Sequence, residues 1–132
     1  MEREKSSEVM ATFRRYAQAF QALDARAVAH HFNEPAFSIT PRGVVPLPSG
    51  AAVEHHYRGL MAELPAMGYA RTEFSQLREE RLNDDLAVVT GTGVWKKASG
   101  EDLIQFGVMY TMRRVQESWR IVIAVVYEGR LT

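Results

Sequence analysis

From residue 69 to residue 128 the chain carries four long segments of β type joined by short polar turns, whereas the part before Pro65-Ala66-Met67-Gly68 is patterned mainly as helix. Few architectures accept that order. Residues 69–82 turn at Asn83-Asp84-Asp85, residues 86–97 at Ala98-Ser99-Gly100 and residues 103–115 at Gln116-Glu117-Ser118, and residues 119–128 close the series. Such turns between β-rich runs spell consecutive hairpins, hence an antiparallel meander. Gly91 and Gly107 stand equidistant from Ser99, so the pattern predicts that they face each other and let the sheet bend. In the last two strands both alternate sets hold large apolar side chains, with Ile104, Phe106, Val108, Tyr110 and Met112 set against Leu103 and Met109. A sheet apolar on both faces is normally covered on both, and this chain has helix enough for one. The expectation is a homodimer through the outer face of the sheet, with twofold symmetry.

The first half supplies the helices. Val9, Phe13, Tyr16, Ala17 and Phe20 recur at helical spacing, with Arg14, Arg15, Gln18 and Gln21 opposite, which predicts a helix over about residues 7–22 with Tyr16 pointing inward. Asp24 is a plausible N-cap for a second helix, whose stripe of Ala25, Val28, Ala29 and Phe32 ends before Pro35. Residues 36–40 alternate as a short strand that Pro41 stops, and residues 41–50 read as a loop, a candidate pocket rim. Ser49-Gly50 opens a third helix with Val53, His56, Tyr57, Leu60, Met61 and Leu64 on one face, ended by Pro65 and Gly68. The expected fold is α+β: three N-terminal helices packed on a curved antiparallel sheet of four long strands plus a short one, a cone with a cavity.

Composition narrows the function. A chain of 132 residues, 46% hydrophobic, makes one domain over residues 1–132 that buries roughly two-thirds of its unfolded surface. Sixteen basic residues balance sixteen acidic ones, so no overall field draws nucleic acid or an anionic membrane. Cysteine is absent, which removes thiolate catalysis and sulfur-rich zinc sites and suits a reducing cytoplasm. The opening MEREKSSE lacks an apolar core of the signal-peptide kind, and no apolar run approaches the roughly 20 residues of a membrane span. A soluble, cytoplasmic protein is expected.

Residues 13–24, then Val28-Ala29-His30-His31-Phe32, then Phe37-Ser38-Ile39-Thr40-Pro41 resemble the opening of the NTF2-like superfamily. Ser49-Gly50 to Tyr57 is similar to its third helix, and Ser118-Trp119-Arg120-Ile121 to its final strand. The resemblance covers nearly the whole chain. It implies a cone with a cavity between sheet and helices, commonly in dimers, on which SnoaL-like cyclases, ketosteroid isomerases, dehydratases and members without known chemistry are built. The Arg15-Tyr16 pair resembles one in ketosteroid isomerases, where the tyrosine donates a hydrogen bond to a developing oxyanion. Their general base, an Asp before a Pro at the end of the first strand, is replaced here by Thr40 before Pro41, and a threonine hydroxyl accepts no proton at neutral pH. Their second donor, an Asp on the penultimate strand, aligns with Met109 or its neighbours.

Two classes of function stay open. In the first, the chain binds a small, mostly apolar ligand in the cone, lined by Phe20, Phe32, Thr40, Tyr57, Trp95 and Tyr110, without catalysis. In the second it is a cofactor-free SnoaL-like isomerase, cyclase or dehydratase with Tyr16 as donor and His56 as base, which requires both side chains to converge. Tyr16 reads equally as a core tyrosine whose hydroxyl finds a partner, and His56 as a half-buried histidine. The pairs His30-His31 and His55-His56 invite a metal, yet helix neighbours diverge by about 100° and no HExxH spacing exists, so no metal and no cofactor are expected. Arg71, Glu73, Arg78, Glu79, Glu80 and Arg81 are expected to form a solvated ladder.

Overall fold

Val9, Phe13 and Tyr16 are the apolar side chains that the first helix buries among the described residues, as their spacing requires. The computed structural model describes residues 2–128, with side chains from Glu8 onward, and among them the helix α1 spans Glu2–Gln21. It stops where Leu23 adopts a left-handed conformation, and Asp24 starts α2 (Ala25–Ala29) by accepting a hydrogen bond from the Ala27 amide at 3.0 Å. The predicted stripe overran this helix. Phe32 does not close α2 but opens strand β1 (Phe32–Thr40), because its apolar side chain satisfies the first inward position of a strand as well as a fourth helical one. The Ile121 amide donates to the His31 carbonyl at 2.8 Å and draws the chain into the sheet there.

The segment expected to be a loop holds a second short strand, β2 (Gly43–Leu47), which pairs antiparallel with β1 so that Ala36 meets Leu47 and Ser38 meets Val45. Gly43, at φ 135°, makes the tight return, and Pro46 is tolerated because β2 is an edge strand with no further neighbour to serve. The sheet therefore has six strands among the described residues, where the pattern predicted five. Helix α3 (Gly50–Met67) is capped by Ser49, whose hydroxyl accepts from the Ala52 amide at 3.2 Å, and by the Glu34 carboxylate, which accepts from the Gly50 amide. Pro65 lies inside this helix instead of ending it. Gly68, at φ 87°, is the stop.

The meander follows as predicted through β3 (Tyr69–Arg81), β4 (Leu86–Lys97), β5 (Asp102–Val115) and β6 (Ser118–Glu128). The order is β2-β1-β6-β5-β4-β3, antiparallel throughout except that β1 runs parallel to β6. Its concave face carries Val89, Phe106, Val108, Tyr110, Met112, Ile121 and Ala124 into one core with α1 and with Val53 and Tyr57 of α3. Two expectations about the sheet are corrected. An irregularity between Trp95 and Lys96 shifts the hairpin by one residue, so Gly91 pairs with Val108 and Gly107 with Thr92. Glu79 and Arg81 leave the solvated ladder: a bulge at Gln76, between Ser75 and Arg78, resets the alternation and brings the Arg81 guanidinium 4.9 Å over the buried Trp119 ring.

The glycines make room for rings. A Cβ on Gly93 would stand 2.5 Å from the ring of the buried Phe106 and 3.1 Å from Phe74, whereas one on Gly107 would stand 2.3 Å from Tyr127, which is partly exposed. Phe106 is held by Trp95 at 5.7 Å and has nowhere to go, while Tyr127 swings into solvent. Gly93→Ala should therefore destabilise the domain by about 1–3 kcal/mol, and Gly107→Ala by distinctly less, read as urea midpoints at unchanged m. Equal midpoints for both variants would contradict this account of the bend.

Candidate functional site

Where sheet and helices meet, the interior is a continuous set of rings. Phe13 lies 5.3 Å from Tyr110 and 5.1 Å from Phe74; Tyr16 lies 5.2 Å from Tyr110 and 6.0 Å from Phe32. Phe32 continues to Tyr57 at 5.6 Å, and Phe20 joins Tyr57, Tyr69 and Trp95, stacking on the last at 6.0 Å. Five of the predicted lining residues, Phe20, Phe32, Tyr57, Trp95 and Tyr110, thus join one network of rings, in which Phe32 and Tyr110 meet Tyr16 directly. Thr40 does not. It sits at the β1–β2 turn, where its hydroxyl accepts a hydrogen bond from the Arg42 amide at 3.1 Å.

Three phenols form the polar centre of these rings. The hydroxyls of Tyr16 and Tyr110 are 2.8 Å apart and share one hydrogen bond, and Tyr57 lies near enough for its hydroxyl to couple to Tyr16. Tyr110 is the neighbour of Met109 that turns inward, so the strand expected to lack a second donor supplies a phenol. Met109 itself faces outward. Alternation along β5 was the available signal, since Tyr110 shares its parity with Phe106, Val108 and Met112.

Burial sets the acidity of these groups. It raises Tyr16 well above the ordinary tyrosine value, with Tyr110 and Tyr57 adding to the effect; it pushes Tyr57 up to about 12 and also raises Tyr110. At neutral pH all three are neutral hydrogen-bond donors and none is a base. His56 is only half-buried, its ring edge-on to Tyr57 at 5.2 Å. Desolvation, then the neighbouring His55, lowers its pKa, so it is neutral at pH 7. No hydrogen bond or ring contact joins it to Tyr16 among the described residues. Consecutive helical positions diverge, and Tyr57 takes the inward one.

A concavity lies at the surface between α1, the end of α2 and the start of β6, with Arg15, His30, His31 and Arg120 in its lining. Sequence reasoning missed it, because its residues come from segments far apart in the chain. Among the described residues no group of three His, Asp or Glu side chains is placed to hold a metal ion, and no helix is long and apolar enough to cross a membrane.

This helix-lined, bent and unclosed sheet defines the NTF2-like, cystatin-like class of α+β domains. Residues 6–129 match the family described as NTF2-like protein (DUF6841), and the chain belongs to that family. No curated protein matches it. Among solved structures it is similar to an NTF2-like protein with a cystatin-like fold from Novosphingobium aromaticivorans, at 20% identity and a TM-score of 0.79 over 95% of this chain and 82% of that one. Aln2 from a Streptomyces species is similar at 20% identity and a TM-score of 0.77, over 92% and 89% of the two chains. A provisionally named dehydratase of the NTF2-like family from Streptomyces avermitilis is similar at 12% identity and a TM-score of 0.78, over 99% and 100%. At these identities the likeness is one of fold.

The phenols give a pH prediction. In the unfolded chain a tyrosine ionises near its ordinary value of about 10, below the folded value of about 12 for Tyr57. The unfolded state therefore sheds these protons first. The stability they contribute is complete below about pH 10 and declines as the pH rises through the folded value. Tyrosinate absorbance from Tyr16, Tyr57 and Tyr110 should appear together with loss of the circular dichroism of the fold. Their ionisation near pH 10 with the fold intact, followed in Phe variants, would overturn it.

Proposed function

We propose that the protein binds a small, mostly apolar molecule carrying a carbonyl or similar acceptor oxygen within the ring-lined interior, and that it does so without a cofactor. One observation carries this reading. Tyr16 bonds to Tyr110 and couples to Tyr57, and in this open chain of three hydroxyls the proton at the end has no acceptor among them. In an apolar setting such a proton favours an acceptor oxygen brought by a ligand, and the rings of Phe20, Phe32, Tyr57 and Trp95 offer the matching apolar contacts. Binding is preferred to isomerase, cyclase or dehydratase chemistry because a base is missing beside the phenols. Thr40 is engaged in a turn, and His56 faces the flank of α3.

The test is a thermal-shift and calorimetric screen with apolar ketones and their alcohol-free hydrocarbon analogues. A ketone at about 100 times its Kd should add about 2.7 kcal/mol of stability. Tyr16→Phe combined with Tyr110→Phe should raise Kd roughly 2- to 12-fold, the worth of about 0.5–1.5 kcal/mol for one hydrogen bond, while His56→Ala leaves Kd unchanged. Ketones and hydrocarbons binding alike to the parent and the double variant would contradict the assignment.

The partner in this proposal is a second copy of the chain. Register sets Phe37 beside Ile123, Ile39 and Met109 beside Val125, and Gly107 beside Tyr127 on the convex face that the helices leave open. Phe37, Met109 and Tyr127 are each about two-fifths exposed, too much for single scattered residues on one flat surface. Light scattering should give a dimer at micromolar concentration for the parent and a monomer for Met109→Glu. A monomeric parent would refute the interface.

A further inference from the structure

The surface concavity between α1, the α2–β1 junction and β6 has a volume of about 450 Å³, within the range of small-ligand sites. Its walls bring together Thr12 and Arg15 from α1, His30 and His31, and Trp119 and Arg120 from β6. Each arginine is held in place by a neutral acceptor. Arg15 donates to the Thr12 hydroxyl at 3.2 Å, and Thr12 in turn donates to the Glu8 carbonyl at 3.1 Å; Arg120 donates to the His30 carbonyl at 3.1 Å. Neither forms an ion pair with a carboxylate among the described residues. A guanidinium has five donors, so both keep most of their hydrogen-bonding capacity for something else.

The charges are arranged in a way that selects the occupant. His31 is half-buried, and desolvation first, then the neighbouring Arg15, His30 and Arg120, lowers its pKa. Two carboxylates, Glu8 and Glu117, also line the concavity, and neither is ion-paired to Arg15 or Arg120 among the described residues. The lining is formally balanced, two arginines against two glutamates, so what it offers an anion is the unpaired donors of Arg15 and Arg120 and not a net field.

We propose that this pocket binds a small organic anion through carboxylate or phosphate oxygens, with Arg15 and Arg120 as converging donors and His31 as the group that senses the charge. The site is separate from the ring-lined interior and stands or falls independently of it. A bound anion offsets the repulsion that Arg15 and Arg120 exert on a protonated His31. Binding therefore takes up a proton at His31 and tightens as the pH falls.

Amide and histidine-side-chain NMR titrations with inorganic phosphate and, separately, acetate at low ionic strength test this. The expected result is saturable shifts grouped at Thr12, Arg15, His31 and Ile121, a rise in the His31 pKa on saturation, and a loss of affinity of at least tenfold in Arg15→Gln and in Arg120→Gln. Arg15→Lys should recover part of the affinity, and the exposed Arg58→Gln should bind like the parent. Response to one probe only assigns the oxyanion class. Shifts scattered without saturation, an unmoved His31, or Arg→Gln variants that stay folded by circular dichroism and bind within twofold of the parent would overturn the proposal.

Discussion

Phe13 and Tyr16, one turn apart on α1, both pack against Tyr110 in the middle of β5, and the helix is thereby fixed across the hollow of the bent sheet. Ring contacts of this kind add about 0.5–1.5 kcal/mol each beyond the area they bury. Their larger effect is directional. The hydroxyl contact at 2.8 Å sets how far α1 slides along the sheet, and α2, α3 and β1 then find their places around a helix whose position is already determined. The curvature that permits this depends on a bare backbone at Gly93, where the Phe106 ring lies against the strand.

Much of this was legible in the chain before any coordinates. The meander, the caps at Asp24 and Ser49, the stop at Gly68 and the inward face of α1 all rest on local chemistry that a short window of sequence contains. The failures are of another kind. Phe32 fits a helix stripe and a strand face equally, and only its pairing with Ile121, far along the chain, decides between them. Residues 43–47 carry Pro46 and two exposed valines, which local patterning reads as loop, yet the open edge beside β1 makes a strand of them. The bulges at Gln76 and between Trp95 and Lys96 reversed the predicted facing of Glu79, Arg81 and the glycines, since alternation is blind to an inserted residue.

The ring-lined interior and the surface concavity are built on opposite electrostatic principles. Inside, three neutral phenols keep their protons because the surroundings are apolar, so polarity there is confined to hydrogen-bond donation. At the surface, Arg15 and Arg120 stand beside His30 and His31 and make no ion pair among the described residues with the two glutamates of the same lining, and charge dominates. The candidate pair Tyr16 and His56 was only half legible for this reason. Periodicity placed both on inward faces, but adjacent α3 positions cannot share a direction, and Tyr57 occupies the one that reaches the interior.

The sheet ends in two unlike edges, and the difference decides how copies of the chain can meet. At one side β2 is short and interrupted by Pro46, which offers no amide. At the other, β3 is long but broken by its bulge and studded with Arg71, Glu73, Arg78 and Glu80. Neither border is a template for adding strands, so open-ended stacking into fibrils is disfavoured at both. What association remains available runs through the broad convex face, where the proposed twofold contact closes on itself after two copies. A domain with so many β-branched and aromatic residues in its strands is in this way guarded at both edges against growth by strand addition.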